Sequence, residues 1–179
     1  MSANTPPPAS SWKQWFTTHG QRLLLFARQQ TRTEQDAEDV LQEAMVRLWK
    51  SGMIDTGEDG ANEPCLAGAF TQIRRSAIDQ ARKNIRRANR ETRAMEMDEP
   101  GHIVWFQDSL EQDERSQQIE KAIQTLPDYY KEVIILKIWG DLTFEQIAET
   151  LDIPMNTAAS RYRYALERLR RTLTPAKLS

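Results

Sequence analysis

An all-α fold of two small helical domains joined by an acidic flexible linker is predicted from three observations. Apolar residues recur at spacings of three and four along most of the chain, the period of helices buried on one face. No stretch shows the alternation of a half-buried strand. Residues 94–115 carry Pro100, Gly101 and many acids with no helical period, which sets a linker and a domain boundary there. The 179 residues suffice for two such domains, because one domain commonly takes about 100 to 200.

Pro6, Pro7 and Pro8 among Ser, Thr and Asn mark residues 1–9 as a disordered tail. Trp12, Trp15, Phe16, Leu23, Leu24 and Phe26 then predict a helix ending near Arg32. Over 34–50, Ala37, Val40, Leu41, Ala44, Met45 and Leu48 form one apolar stripe, with the acids off it. The stretch SGMIDTGEDGANEP, with its glycines, proline and acids, predicts a loop. From Leu66, the positions Ala69, Phe70, Ile73, Ala77, Ile78, Ala81 and Ile85 predict a second amphipathic helix, leaving Arg74, Arg75, Arg82 and Arg86 on its polar side. These helices make the first domain, residues 10–93. Within the linker, Ile103-Val104-Trp105-Phe106 reads first as a satellite contact with a neighbouring domain, with a binding anchor as the alternative.

Helical pattern resumes at Ser116, with Ile119, Ala122, Ile123 and Leu126 on one side, and opens the second domain, residues 116–173. Pro127 and Asp128 start the next helix, YYKEVIILKIW, which Gly140 stops. Thr143 and Gln146 form a T-x-x-Q capping box, in which each side chain satisfies a backbone amide at a helix start. Ile147, Ala148 and Leu151 bury that short helix. The tripeptide DIP turns into a final helix with apolar positions Ala158, Tyr162, Ala165, Leu166 and Leu169. This order of capped short helix, tight turn and second helix is a helix-turn-helix.

The formal net charge of -2 hides segregated blocks. Residues 33–63 hold nine acids against Arg47 and Lys50, and 94–120 hold eight against Arg115. Between them, 70–93 hold eight basic residues against Asp79 and Glu91, and 154–171 hold five arginines against Glu167. A local basic patch attracts a polyanion even on a slightly negative molecule. In a helix-turn-helix the second helix enters the major groove with the outward residues of its first turns near base edges. Burial of the apolar set leaves Asn156, Ser160 and Arg163 outward, with Thr157, Ala159 and Arg161 beside them. Asn can read adenine and Arg guanine, while small side chains permit close approach. Arg168, Arg170 and Arg171 lie where phosphates are nearer. A solvated basic face is the bland alternative for both basic helices.

Catalysis has little support. Cys65 is alone, His19 and His102 lie far from it, and no GxxxxGK[ST], GxGxxG or GxSxG occurs. No metal or cofactor is expected, and clustered acids acting as ligands or general acids form the weakest reading. The start has no secretory signal pattern and no segment approaches the roughly 18 apolar residues of a membrane span, so a cytoplasmic protein without membrane insertion is expected. A stand-alone helix-turn-helix regulator binding palindromic DNA is the main rival, but it leaves the acidic 34–43 helix unexplained.

Three motifs in order, DAEDVLQEAMVRLW, AFTQIRRSAIDQARKNIRR and LPDYYKEVIILKIWGDLTFEQIAETLDIPMNTAASRYRYALERLRR, resemble the bacterial sigma factors of the extracytoplasmic-function group. The resemblance spans about residues 20–171. It implies a factor that binds core RNA polymerase, directs it to specific promoters and helps melt the downstream (minus-ten) element, without being an enzyme. It implies that Asp39, Gln42 and Glu43 dock on the clamp helices of the largest polymerase subunit. It implies that Arg74, Arg75, Ser76, Asp79, Arg82, Lys83, Arg86 and Arg87 engage and open the downstream element. The second domain, through Asn156, Thr157, Ala159, Ser160, Arg161 and Arg163, would bind the upstream (minus-thirty-five) element. An anti-sigma partner, common among relatives, is an expectation of the same kind. Pro154 stands where relatives usually carry a capping Ser, and Asn156-Thr157-Ala158 stands in place of Gly-Thr-Val.

Overall fold

A computed structural model of the chain describes residues 9–56, 62–90 and 114–173. These form two compact units. The first holds helices α1 (Ala9–Gln30), α2 (Glu34–Ser51) and α3 (Leu66–Arg90), with short strands β1 (Ile54–Thr56) and β2 (Asn62–Pro64) between α2 and α3. The second holds α4 (Glu114–Gln124), α5 (Asp128–Ile138), α6 (Phe144–Leu151) and α7 (Met155–Leu173). Most of the expected linker, with residues 103–106, lies outside the described residues. Its last two positions, 114 and 115, already belong to α4, so that helix begins two residues before the expected Ser116.

In the first unit the three helices pack pairwise. Leu23, Phe26 and Ala27 of α1, Ala37, Val40, Leu41, Ala44 and Leu48 of α2, and Ala69, Phe70, Ile73 and Ala77 of α3 are buried. These are the positions that a three-four spacing places on one side of each helix. Phe26 meets Phe70 edge to face, with ring centroids 5.3 Å apart, in the arrangement that the ring quadrupoles favour. The α2 start is fixed by Thr33, whose hydroxyl oxygen accepts the Asp36 amide at 3.1 Å. Its end is fixed by Gly52, whose φ of 63° is a left-handed cap that glycine adopts without steric cost.

Three expectations for this unit are corrected. The 51–64 stretch is not wholly a loop: β1 and β2 pair antiparallel, with Ile54 opposite Pro64. Strands of three residues are too short to show alternation, and this pair is held by its surroundings, since Pro64 is fully buried and β2 packs on α1. The Cys65 amide extends the pair at its open end by donating to the Met53 carbonyl at 3.1 Å. Burial, above all, pushes the Cys65 thiol up to about 11, so the group stays protonated at neutral pH. Second, the apolar stripe of α3 is not buried along its whole length, for Ala81 is exposed and Ile85 is 60% exposed. At 25 residues α3 is about 37 Å long and α2, at 18, about 27 Å, so α3 outruns its partner. Third, Met45 and Ile78, expected inside, are only half-buried.

The second unit is organised around α7, against which α4, α5 and α6 all pack. Val133, Ile134, Ile135 and Leu136 of α5 are all buried, so that helix is covered on every side over one turn. Ala122, Ile123 and Leu126 are buried, whereas Ile119 is 36% exposed. On α7, Ala158, Ala165 and Leu169 face inward, but Leu166, expected with them, is 40% exposed. It lies 100° from Ala165 around the helix, past the edge of the buried arc.

The helix-turn-helix forms as the sequence predicts. The Thr143 hydroxyl accepts the Gln146 amide at 3.2 Å, and the Gln146 side chain accepts the Thr143 amide at 2.9 Å. The turn follows from Asp152, which adopts φ 55° and ψ 53° and ends α6. Pro154 then starts α7 with its carbonyl, which accepts the amides of Thr157 and Ala158 at 2.9 and 3.1 Å. Thr143→Ala should cost about 1 kcal/mol by removing the cap, while Thr143→Ser should cost only a few tenths. Urea unfolding of both variants, followed by circular dichroism, checks the pair.

Candidate nucleic-acid interface

Helix α7 presents its chemistry on one face and one shoulder. Asn156 and Arg163 are exposed, and Ser160 between them is half-buried. Spacings of four and three put these three on one line away from Ala158, Ala165 and Leu169. Thr157, Ala159 and Arg161 flank them and are half-buried. Thus the six residues expected to face DNA lie on the solvent side of α7 or at its margins. Sequence reasoning missed how several α7 arginines are held. Arg161 sits over the Tyr129 ring at 5.4 Å, Arg168 over Tyr130 at 5.7 Å, and Arg163 over Tyr164 at 5.1 Å. Arg171 instead pairs with Glu167, one turn away. No spacing rule announces the contacts between α5 and α7, which depend on how the two helices cross.

Helix α3 carries the second basic surface. Arg75, Arg82, Lys83, Arg86 and Arg87 are exposed, and Arg74 is half-buried. Two expected members do not join this face. Ser76 is fully enclosed at 0% exposure, three residues after buried Ile73 and beside buried Ala77, so the turn of the helix takes it into the bundle rather than toward a ligand. Asp79 is half-buried and accepts from the Arg47 guanidinium at 2.9 Å.

Arg47 also reaches Glu43 at 2.6 Å, so one guanidinium of α2 bridges the acidic surface of its own helix and Asp79 of α3. Its pKa is raised, first by Asp79 and then by Glu43. On α2, Asp39 and Gln42 are exposed while Glu43 is half-buried and tied to this bridge. A second tie between the helices runs from the Gln80 amide to Asp36 at 2.6 Å. These contacts link the acidic helix to the basic one at two points. Near the second tie, the ends of α1 and α2 and the far half of α3 enclose a cleft of about 330 Å³ lined by Arg32, Asp36, Gln80, Asn84 and Ile85. Among the described residues no group of His, Cys, Asp and Glu has the arrangement of a metal site, and no helix is long and apolar enough to cross a membrane.

Comparison with known proteins identifies the two units separately. Residues 15–87 match Sigma-70 region 2, and residues 116–169 match Sigma-70, region 4. The chain is 30% identical over 165 residues to the RNA polymerase sigma factor SigV of Bacillus subtilis, covering 92% of each. It is 27% identical over 145 residues to the ECF RNA polymerase sigma factor RpoE of Cereibacter sphaeroides, covering 77% of this chain and 72% of the relative. Among solved structures, the sigma factor RpoE of Bartonella quintana, crystallised with the anti-sigma factor NepR, superposes with a TM-score of 0.62 at 25% identity. That match covers 93% of this chain and 98% of the other. With both of its helical units matched in order and a relative aligned along almost its whole length, the chain belongs to the ECF group of RNA polymerase sigma factors.

Proposed function

We propose that this sigma factor grips promoters with two surfaces, α7 on the upstream element and the basic face of α3 on the downstream element, while the Asp39–Gln42–Glu43 face of α2 docks on the clamp of core RNA polymerase. The observation that carries the reading is the capped α6–turn–α7 unit with Asn156, Ser160 and Arg163 directed away from the core. An outward Asn and Arg on the first turns of such a helix can offer bidentate donors to base edges in the major groove. On α3, Arg75, Arg82, Lys83, Arg86 and Arg87 supply charge along one exposed flank, which suits a backbone held while its bases unpair. Strand separation would draw on binding energy alone, with no covalent bond made or broken. Ser76 has no direct part in this scheme, because no atom of it reaches the surface.

Low net charge fits a factor that works only when docked. Each basic surface alone binds weakly, and linkage through polymerase raises the effective concentration of the second once the first is bound. The cytoplasm, where the polymerase acts, is the proposed location. An anti-sigma partner is also proposed, on the ground that a solved relative was captured with one. Such a partner should compete with core polymerase for this chain in gel filtration, and simultaneous binding of both would overturn that part.

Transcription with purified core polymerase and a promoter library randomised across the upstream element tests the central reading. Arg163→Ala should lose about 1 to 3 kcal/mol of discrimination at one base position, leaving the others in place. An unchanged upstream preference in that variant and in Asn156→Ala would refute the assignment of α7. Tight sequence-specific duplex binding without polymerase would favour a stand-alone regulator.

A further inference from the structure

Two neighbouring tyrosines at the start of α5 hold two arginines of α7. Tyr129 and Tyr130 lie with ring centroids 4.4 Å apart and tilted by 60°, so they form one aromatic ledge. Arg161 and Arg168 stand over that ledge at 5.4 and 5.7 Å from the respective rings. Both distances are within the roughly 6 Å over which a cation is attracted by a ring face. A separation of seven residues brings Arg161 and Arg168 almost back to the same angle around α7, on the shoulder beside the reading face.

We propose that Tyr129 and Tyr130 are positioning residues for promoter binding, holding Arg161 and Arg168 aimed at DNA phosphates along that shoulder; the proposal rests on the reading of α7 as the upstream-element helix. A ring face attracts the guanidinium without carrying a negative charge that would pair with it. The N–H donors lie in the guanidinium plane and stay free for a phosphate, and the positive charge is not cancelled. A carboxylate partner does the opposite, as Glu167 does to Arg171: it takes the donors and neutralises the charge. The ring contact therefore removes rotamer freedom before DNA arrives and leaves the binding chemistry intact, which lowers the ordering cost of the complex.

The test uses the full chain bound to core polymerase and a promoter duplex selected by the wild-type holoenzyme from a randomised library, with the same duplex scrambled upstream as reference. Tyr129→Leu/Tyr130→Leu should weaken upstream-dependent binding about tenfold, roughly threefold per ring. The slope of log affinity against log salt should become shallower by about 1 to 2. Tyr129→Phe/Tyr130→Phe, which keeps both ring faces, should stay within about twofold of wild type. If the double Leu chain fails to fold, Tyr129→Leu alone, at a ring that is 45% exposed, should show about threefold weakening. The proposal is overturned if the Leu chains match wild type in affinity and slope while Arg161→Ala/Arg168→Ala weakens binding, and the reading of α7 survives that result. Equal weakening by Phe and Leu overturns it as well, because the ring face would then not be what acts. Tighter binding by the Leu chains overturns it too, since DNA would be stripping the arginines from their rings. Should the double arginine variant, Asn156→Ala and Arg163→Ala all bind like wild type, it is the DNA reading of α7 that has failed.

Discussion

Asp39→Ala combined with Gln42→Ala should weaken binding of the chain to core RNA polymerase by about 100-fold. Both side chains are exposed on α2 and sit one turn apart, and neither is committed to the bridge that holds Glu43. A hydrogen bond to a charged group contributes about 1.5 kcal/mol or somewhat more, so losing two amounts to about 3 kcal/mol, or two orders of magnitude. Surface changes of this kind should move stability by no more than about 0.5 kcal/mol, which separates lost docking from lost folding. Glu43 should behave differently. Its carboxylate is bound to Arg47, so Glu43→Ala also removes one of the two carboxylates that hold the guanidinium bridging to Asp79. Titration of labelled core polymerase with each variant measures the effect. Binding of the double variant within threefold of wild type would remove α2 from the interface. Raising salt should weaken the wild-type contact, mostly through the association rate, as expected for an acidic surface meeting a basic one.

Phe70→Ala should destabilise the first unit by about 3 to 5 kcal/mol. Phe70 is fully buried and its ring meets Phe26 edge to face between α1 and α3, so truncation removes apolar burial and leaves a cavity that helices on both sides cannot fill. Against a total stability of about 5 to 15 kcal/mol for a whole protein, that loss leaves the unit marginal. The acidic face of α2 and the basic face of α3 would then be lost together, because this core is what chiefly packs the two helices against each other. Ile85→Ala is the control: at 60% exposure, on the part of α3 that outruns α2, it should cost about 0.5 kcal/mol or less. Urea denaturation followed by circular dichroism measures both. A cost below about 1 kcal/mol for Phe70→Ala would show that the core lies elsewhere.

The fold was legible where one turn of backbone carries the information. Ala37, Val40, Leu41, Ala44 and Leu48 announce their helix because residues three and four apart share a side, and all five are buried. Thr143 and Gln146 announce a helix start because both partners of the capping box lie within four residues. The family was legible too, through three motifs in order, and the comparisons bear it out. The β-hairpin was not, since Ile54 and Pro64 pair across nine intervening residues of Gly- and Asp-rich chain that carries no strand period.

Residue types and local spacing thus determined by themselves the helices, the helix-turn-helix and the segregation of charge into two basic and two acidic blocks. Only tertiary structure decided which members of those blocks are available. It enclosed Ser76, tied Asp79 to Arg47 across 32 positions of sequence, left Ile85 exposed, and set Arg161 and Arg168 over the tyrosines of another helix. The physical reason is one of range. Backbone periodicity links residues a turn apart whatever lies nearby, whereas these contacts depend on helix length and crossing angle, which emerge only when the apolar faces pack.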